Sequence, residues 1–211
     1  GVPLTLLRLT SEHQLALIEM GASKPGDIAE LCDIALPNYG LITNIGRAHL
    51  EGFGSLEGVR RTKGELYDNL RARQGIVFFR AEDKVLEEMS EGIDRIDYGT
   101  DPEARIVGQT TPSQSDQLFL HLSWSCPTLG ISSRTIQTKL VGDYNLANTL
   151  AAITIGLYFD VAPEQIDQAL ADYTPSNSRS QLIASTRGNQ IIADAYNANP
   201  SRMHTALDNF L

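Results

Sequence analysis

Cysteine is scarce in this 211-residue chain: only Cys32 and Cys126 occur. They lie far apart and without a second pair, which argues against a disulfide framework and against a cysteine-based zinc centre and fits a reducing cytosol. Basic charge is short as well. Seventeen Lys and Arg stand against 26 Asp and Glu, for a formal charge of −9, and no run of cations appears. A general nucleic-acid binder needs clustered Lys and Arg, so that class is excluded, although a small anion held locally remains compatible. No apolar run approaches the roughly 20 residues that span a bilayer, and no basic segment followed by an apolar one opens the chain. The expectation is a soluble, cytoplasmic chain with neither nucleic acid nor membrane as partner. The chain starts GVPLTLLRL without an initiator Met and stops inside the amphipathic run SRMHTALDNFL, with no Gly cap or Pro stop. It is therefore expected to be a piece of a longer protein.

What is present is enough apolar material, 42% of residues with 20% charged, for one core or one core with a small lobe. Strand-like and helix-like runs alternate over the first hundred residues. LALIEM (15–20), YGLITNI (39–45), GIVFF (75–79) and RIDYG (95–99) read as strands; DIAELCDIAL (27–36), SLEGVRRTKGELYDNLR (55–71) and KVLEEM (84–89) read as helices. That alternation predicts an α/β fold with a parallel sheet covered by helices. From about 101 to 141 the pattern shifts to period two in QLFLHLSW and TIQTKLV, predicting antiparallel strands in an insertion or side sheet. Helices are predicted over 145–159 and over 163–173, the second opening at Pro163. Strands follow at 181–185 and 190–196, and a last helix from near Pro200.

The chemistry concentrates in NIGRAHLEGFGSLEGVRRTK, Asn44 to Lys63, with a His, a carboxylate and a Lys around one turn and helix. Taken singly, each residue has an ordinary reading. Glu19 ends LALIEM, where ligands gather in parallel-sheet proteins, or it is a solvated strand-end acid. His49 is a ligand candidate or a structural imidazole, and Glu51 a loop or first-turn carboxylate. Lys63 reads as a mid-helix cation paired with nearby acids, beside a Gly64 that asks for a reason. Asn145 and Asn148, three apart on one helix face, suit the edge of a base, or an N-cap and a surface residue. Asp194, at the end of QIIADAY, suits ribose hydroxyls or a helix cap.

In order and spacing, PLTLLRL, EMGASKPGDI, NIGRAHLEGFGSLEGVRRTKGE, GDYNLANTLAA and DAYNANP resemble the central ATPase domain of the Mur ligases, the amide-forming enzymes of peptidoglycan synthesis. The resemblance runs along nearly the whole chain, with AHLEGFGS and YNANP its most specific strings. It implies a P-loop NTPase-like α/β domain over 1–211, with an antiparallel insertion at about 101–141 and the final residues leading into a further domain. It also implies two magnesium ions, Glu19 matching the metal-binding carboxylate, His49 the His of the second site, and Lys63 a Lys that is carbamylated in several members. A carbamate turns that cation into the oxygen donor magnesium prefers. Asn148 matches the residue contacting adenine, with Asn145 its neighbour, Asp194 the acid near the ribose, and Arg179 the Arg near the nucleotide phosphates. Two departures stand out. Tyr144 replaces a His common in relatives, and no G-x-x-x-x-G-K-[ST] occurs, so the cradle for the β and γ phosphates is missing from these residues.

Within the family the strings are most similar to the enzyme acting last in the series. Implied substrates are therefore ATP, UDP-N-acetylmuramoyl-tripeptide and D-alanyl-D-alanine, joined through an acyl phosphate, with the isolated chain expected to be inactive. Three alternatives stay open: another ligase of the superfamily such as a folylpolyglutamate synthetase, a nucleotide-binding module without ligase activity, and a parent fused to another enzyme of the D-alanine pathway.

Overall fold

A computed structural model describes residues 1–46, 53–112, 118–176 and 181–193. Six strands hydrogen-bond in chain order: β1 (Tyr39–Leu41), β2 (Ile76–Arg80), β3 (Asp94–Gly99), β4 (Ile106–Thr110), β5 (Phe119–Cys126) and β6 (Ile131–Val141). β1 with β2 and β3 with β4 run parallel; β5 runs antiparallel to both its neighbours. β7 (Gln181–Ala184) and β8 (Gln190–Ala193) form a separate antiparallel pair. Helices α1 (Val2–Leu6), α2 (Asp27–Ala35), α3 (Leu56–Ala72), α4 (Lys84–Met89), α5 (Leu146–Tyr158) and α6 (Pro163–Asp172) complete the α/β architecture the alternation predicts.

Two expectations need correction. The period-two strands of 119–141 are antiparallel as expected but belong to the six-stranded sheet, and the smaller antiparallel sheet is β7 with β8. Alternation in β5, half-buried and buried by turns, reports that one face is covered and carries nothing about the strand's partner. LALIEM is the second: residues 15–20 form no strand, and Leu15 and Leu17 are 51% and 86% exposed. A strand exists only with a ladder partner, and this run has none among the described residues. The predicted helix from Pro200 lies outside the described residues.

By its contacts the chain divides into two compact units, one of residues 1–79 and 83–96, the other of 80–82 and 97–211. In the first, α3 starts where Ser55 accepts a hydrogen bond from the Gly58 amide at 3.0 Å, an N-cap that satisfies an otherwise orphaned donor. Val59, Thr62, Tyr67 and Leu70 then recur at helical spacing and are buried. Tyr67 and Leu70 pack with Ile42, Val77, Phe79, Leu86 and Ile93 into one core. A Cβ on Gly58 would lie 2.0 Å from the Phe53 carbonyl oxygen, so only glycine admits the chain's entry into α3.

In the second unit, Trp124, Leu120 and Leu122 of β5, Ile136 of β6, Leu150 and Ile153 of α5 and Ile166 of α6 are buried. A polar knot ties α6 down. Asp167 accepts from the Trp124 indole at 2.8 Å and from Arg134 Nε at 2.7 Å, and Arg134 also pairs with Glu164 at 2.9 Å.

Candidate active site

Lys63 is set by α3. The Ser55 cap fixes where the helix starts, and the buried stripe fixes its rotation, which together turn Lys63 toward the segment after β1. Its Nζ donates to the Asn44 carbonyl oxygen at 2.6 Å. No carboxylate lies within ion-pair distance of it among the described residues, so the reading as a solvated, acid-paired surface lysine is corrected. Burial without a counter-charge lowers its pKa below the usual 10.5. The consequence is an amine with an enlarged neutral, nucleophilic fraction.

Glu19 belongs to the same unit. It is exposed, in a segment that forms no helix or strand. His49 and Glu51 fall in 47–52, Arg179 in 177–180 and Asp194 in 194–200, all outside the described residues. Among the described residues no three His, Cys, Asp or Glu side chains are grouped to hold a metal. The donors present fit magnesium in one form only: an ammonium at Lys63 repels a cation, whereas a carbamate there would supply oxygen, the donor that Glu19 also carries.

Asn145 and Asn148 lie in the second unit, at the start of α5. Asn145 occupies the N-cap position without capping; its Nδ2 instead donates to the Val141 carbonyl at 2.9 Å, and its own carbonyl accepts from Thr149 Oγ1 at 3.0 Å. Asn145 is therefore held in place at the end of β6. Asn148 is exposed, with no hydrogen-bond partner among the described residues, and its amide is open to a ligand. Ahead of them, Gly142 has φ +86 and ψ 144, a conformation open to glycine, and a Cβ on it would lie 2.4 Å from the Tyr144 ring. Gly142→Ala is expected to destabilise by about 1–3 kcal/mol. Calorimetry should show Tm falling by roughly 2–4 °C per kcal/mol.

Neither Asn44 nor Glu65 is among the residues that sequence reasoning assigned to the site. Asn44 acts through its backbone, which no side-chain pattern reveals. Glu65, two positions from Lys63, accepts from the amides of Gly26 at 2.7 Å and Ala29 at 2.9 Å, partners 39 and 36 residues away that no local motif encodes.

Residues 1–156 match the family model described as the Mur ligase middle domain. The chain belongs to the Mur ligase family. Over 207 residues it is 32% identical to the UDP-N-acetylmuramoyl-tripeptide–D-alanyl-D-alanine ligase of Bacillus subtilis, covering 98% of this chain and 43% of that protein. A crystal structure of MurF from Acinetobacter baumannii, 28% identical, superposes with a TM-score of 0.84 over 99% of this chain and 45% of its own. The MurF ligase of Thermotoga maritima, solved in complex with ADP, shares the fold at 24% identity, with a TM-score of 0.83 over 99% of this chain and 47% of its own. The chain thus spans a little under half the length of the Mur ligases it matches. Among the described residues no helix is long and apolar enough to cross a membrane.

Proposed function

We propose that this chain is the central ATP-binding part, with an antiparallel portion at about 101–141, of a cytoplasmic ligase that joins D-alanyl-D-alanine to UDP-N-acetylmuramoyl-tripeptide. The observation that carries this is the likeness to the Bacillus subtilis ligase of that specificity, which runs over 98% of the chain. The half-buried Lys63, with no carboxylate partner among the described residues, supports it, because the family's carbamylation requires a neutral amine. In that step the amine lone pair attacks the carbon of CO2, a C–N bond forms, one C=O pair becomes the carbamate oxygen, and a proton leaves to solvent.

Carbamylated Lys63, Glu19 and His49 are the proposed holders of two magnesium ions, which when bound neutralise phosphate charge as it develops. Asn148, beside the anchored Asn145, would read the adenine edge. Asp194 would hold the ribose and Arg179 the phosphates. The tripeptide carboxylate oxygen attacks the γ-phosphorus and ADP leaves. The dipeptide amine then attacks the acyl carbon, phosphate leaves, and the amine's proton passes to solvent.

The test is phosphate release by the protein expressed from its complete gene, with ATP, magnesium and the nucleotide tripeptide, with and without D-alanyl-D-alanine. Release that depends on the dipeptide supports the ligase. A folded protein with no such dependence points to another ligase of the superfamily or to a non-catalytic module, the reading favoured by the absence of a G-x-x-x-x-G-K-[ST] from these residues. For the same reason residues 1–211 alone are expected to turn over no ATP.

A further inference from the structure

We infer that Glu65 is a positioning residue for the metal-binding segment: from α3 it holds the turn that follows Glu19 in register with Lys63 on the same helix. The inference rests on the function proposed above. Its basis is the bidentate grip of the Glu65 carboxylate on the amides of Gly26 and Ala29. These stand at the N-cap and third position of α2, where amides lack partners within the helix. Gly26, with φ +91, has no side chain to cap them. A carboxylate from another helix does so instead, and it is favoured there by the helix dipole as well as by the hydrogen bonds.

The turn is pinned from its other side too. Asp27 Oδ2 accepts from the amides of Ser23 at 2.8 Å and Lys24 at 3.0 Å, and these bonds hold the Asp27 carboxyl below its usual pKa. Four backbone amides between residues 23 and 29 are thus held by carboxylates, starting four positions after Glu19. On α3, residues 63 and 65 are separated by roughly 200° of helical rotation, so their side chains leave on different sides. Lys63 ties the segment after β1 through Asn44, and Glu65 ties the turn after Glu19. One rigid helix therefore sets the spacing of the two stretches that carry Glu19 and lead to His49.

The experiment uses the protein from its complete gene with Mn2+ as a paramagnetic substitute for magnesium, in the presence of ADP, read by electron paramagnetic resonance. Wild type, Glu65→Gln, Glu65→Asp and Glu19→Gln are compared, with Tm and the KM and kcat for ATP recorded alongside. Glu65→Gln replaces one acceptor by an NH2 that faces an amide, releasing half of the grip. Its Mn2+ affinity is expected to weaken by roughly 10–100-fold, as for other residues that orient metal ligands, in a protein that remains folded. The KM for ATP rises with it, and Glu65→Asp, which keeps the charge and both oxygens, recovers part of the loss. Unchanged Mn2+ affinity in Glu65→Gln, with Glu19→Gln impaired, makes Glu65 a fold contact only and overturns the inference while the proposed function stands. A wild type that binds no Mn2+ with ADP overturns both. Should Glu65→Gln not fold, Glu65→Asp decides by the same two outcomes.

Discussion

Replacing Lys63 by Ala is expected to lower the kcat of the proposed ligase by roughly 10²–10³-fold, the range for losing one group that stabilises developing charge. The fold should not suffer in proportion. Lys63 is half-buried and its pKa is lowered by desolvation, so its charged form is held in the folded state at a cost. Because the folded pKa lies below the unfolded one, the unfolded chain binds more protons in the window between the lowered value and about 10.5. Stability therefore rises with pH through that window, and below it the penalty is fully present. Removing the cation relieves the penalty at neutral pH and leaves the Asn44 carbonyl without its 2.6 Å donor, two effects that oppose one another. The expected pairing is a collapsed kcat with a nearly unchanged Tm. Carbamylation needs the neutral amine, so occupancy and activity should climb with pH toward and through the lowered pKa. A carbamate carbon signal in 13C NMR with labelled bicarbonate, present in wild type and absent from Lys63→Ala, checks the chemistry. Retention of wild-type kcat by Lys63→Ala would remove Lys63 from the mechanism.

Asp167→Ala is expected to destabilise the second unit by removing the centre of its polar knot. It orphans the indole N–H of Trp124, which is 1% exposed, and takes from Arg134 a partner at 2.7 Å. Arg134 keeps Glu164 at 2.9 Å. A buried donor left unpaired, together with a lost charge-assisted bond, costs about 2–4 kcal/mol. The estimate is kept low because the ion-pair side chains are 27% and 19% exposed, which lets water screen and replace part of the interaction. Calorimetry should show Tm falling by roughly 4–16 °C. Asp167→Asn keeps an acceptor for the indole and loses the charge, so it should fall between wild type and Ala. An unchanged Tm in Asp167→Ala would mean that α6 is held by Ile166 and its apolar neighbours alone.

The helices were the most legible part of the fold. Ser55 ahead of a periodic apolar stripe marks the start of α3, and Pro163 marks the start of α6, since caps and first-turn prolines act within one turn of chain. Lys63 was legible as a candidate through its motif, but its environment was not. The same residue at the same helical position reads as an acid-paired surface cation until the Asn44 carbonyl is seen as its partner, with no carboxylate beside it among the described residues. Asn145 shows the converse: its place at a helix start was readable, whereas its side chain turns back to Val141 instead of capping.

The sequence by itself determined the α/β alternation, the helix starts, the one-sided burial of β5 and the strings that place the chain among the Mur ligases. These depend on periods of two and 3.6 and on contacts within a few residues, which the chain displays directly. Tertiary structure alone decided which sheet β5 and β6 join, that 15–20 forms no strand, that Lys63 is desolvated, and that Glu65 and Asp167 reach across 39 and 43 positions to their partners. Periodicity names the face that an element buries; its partner is chosen by the rest of the chain folding against it.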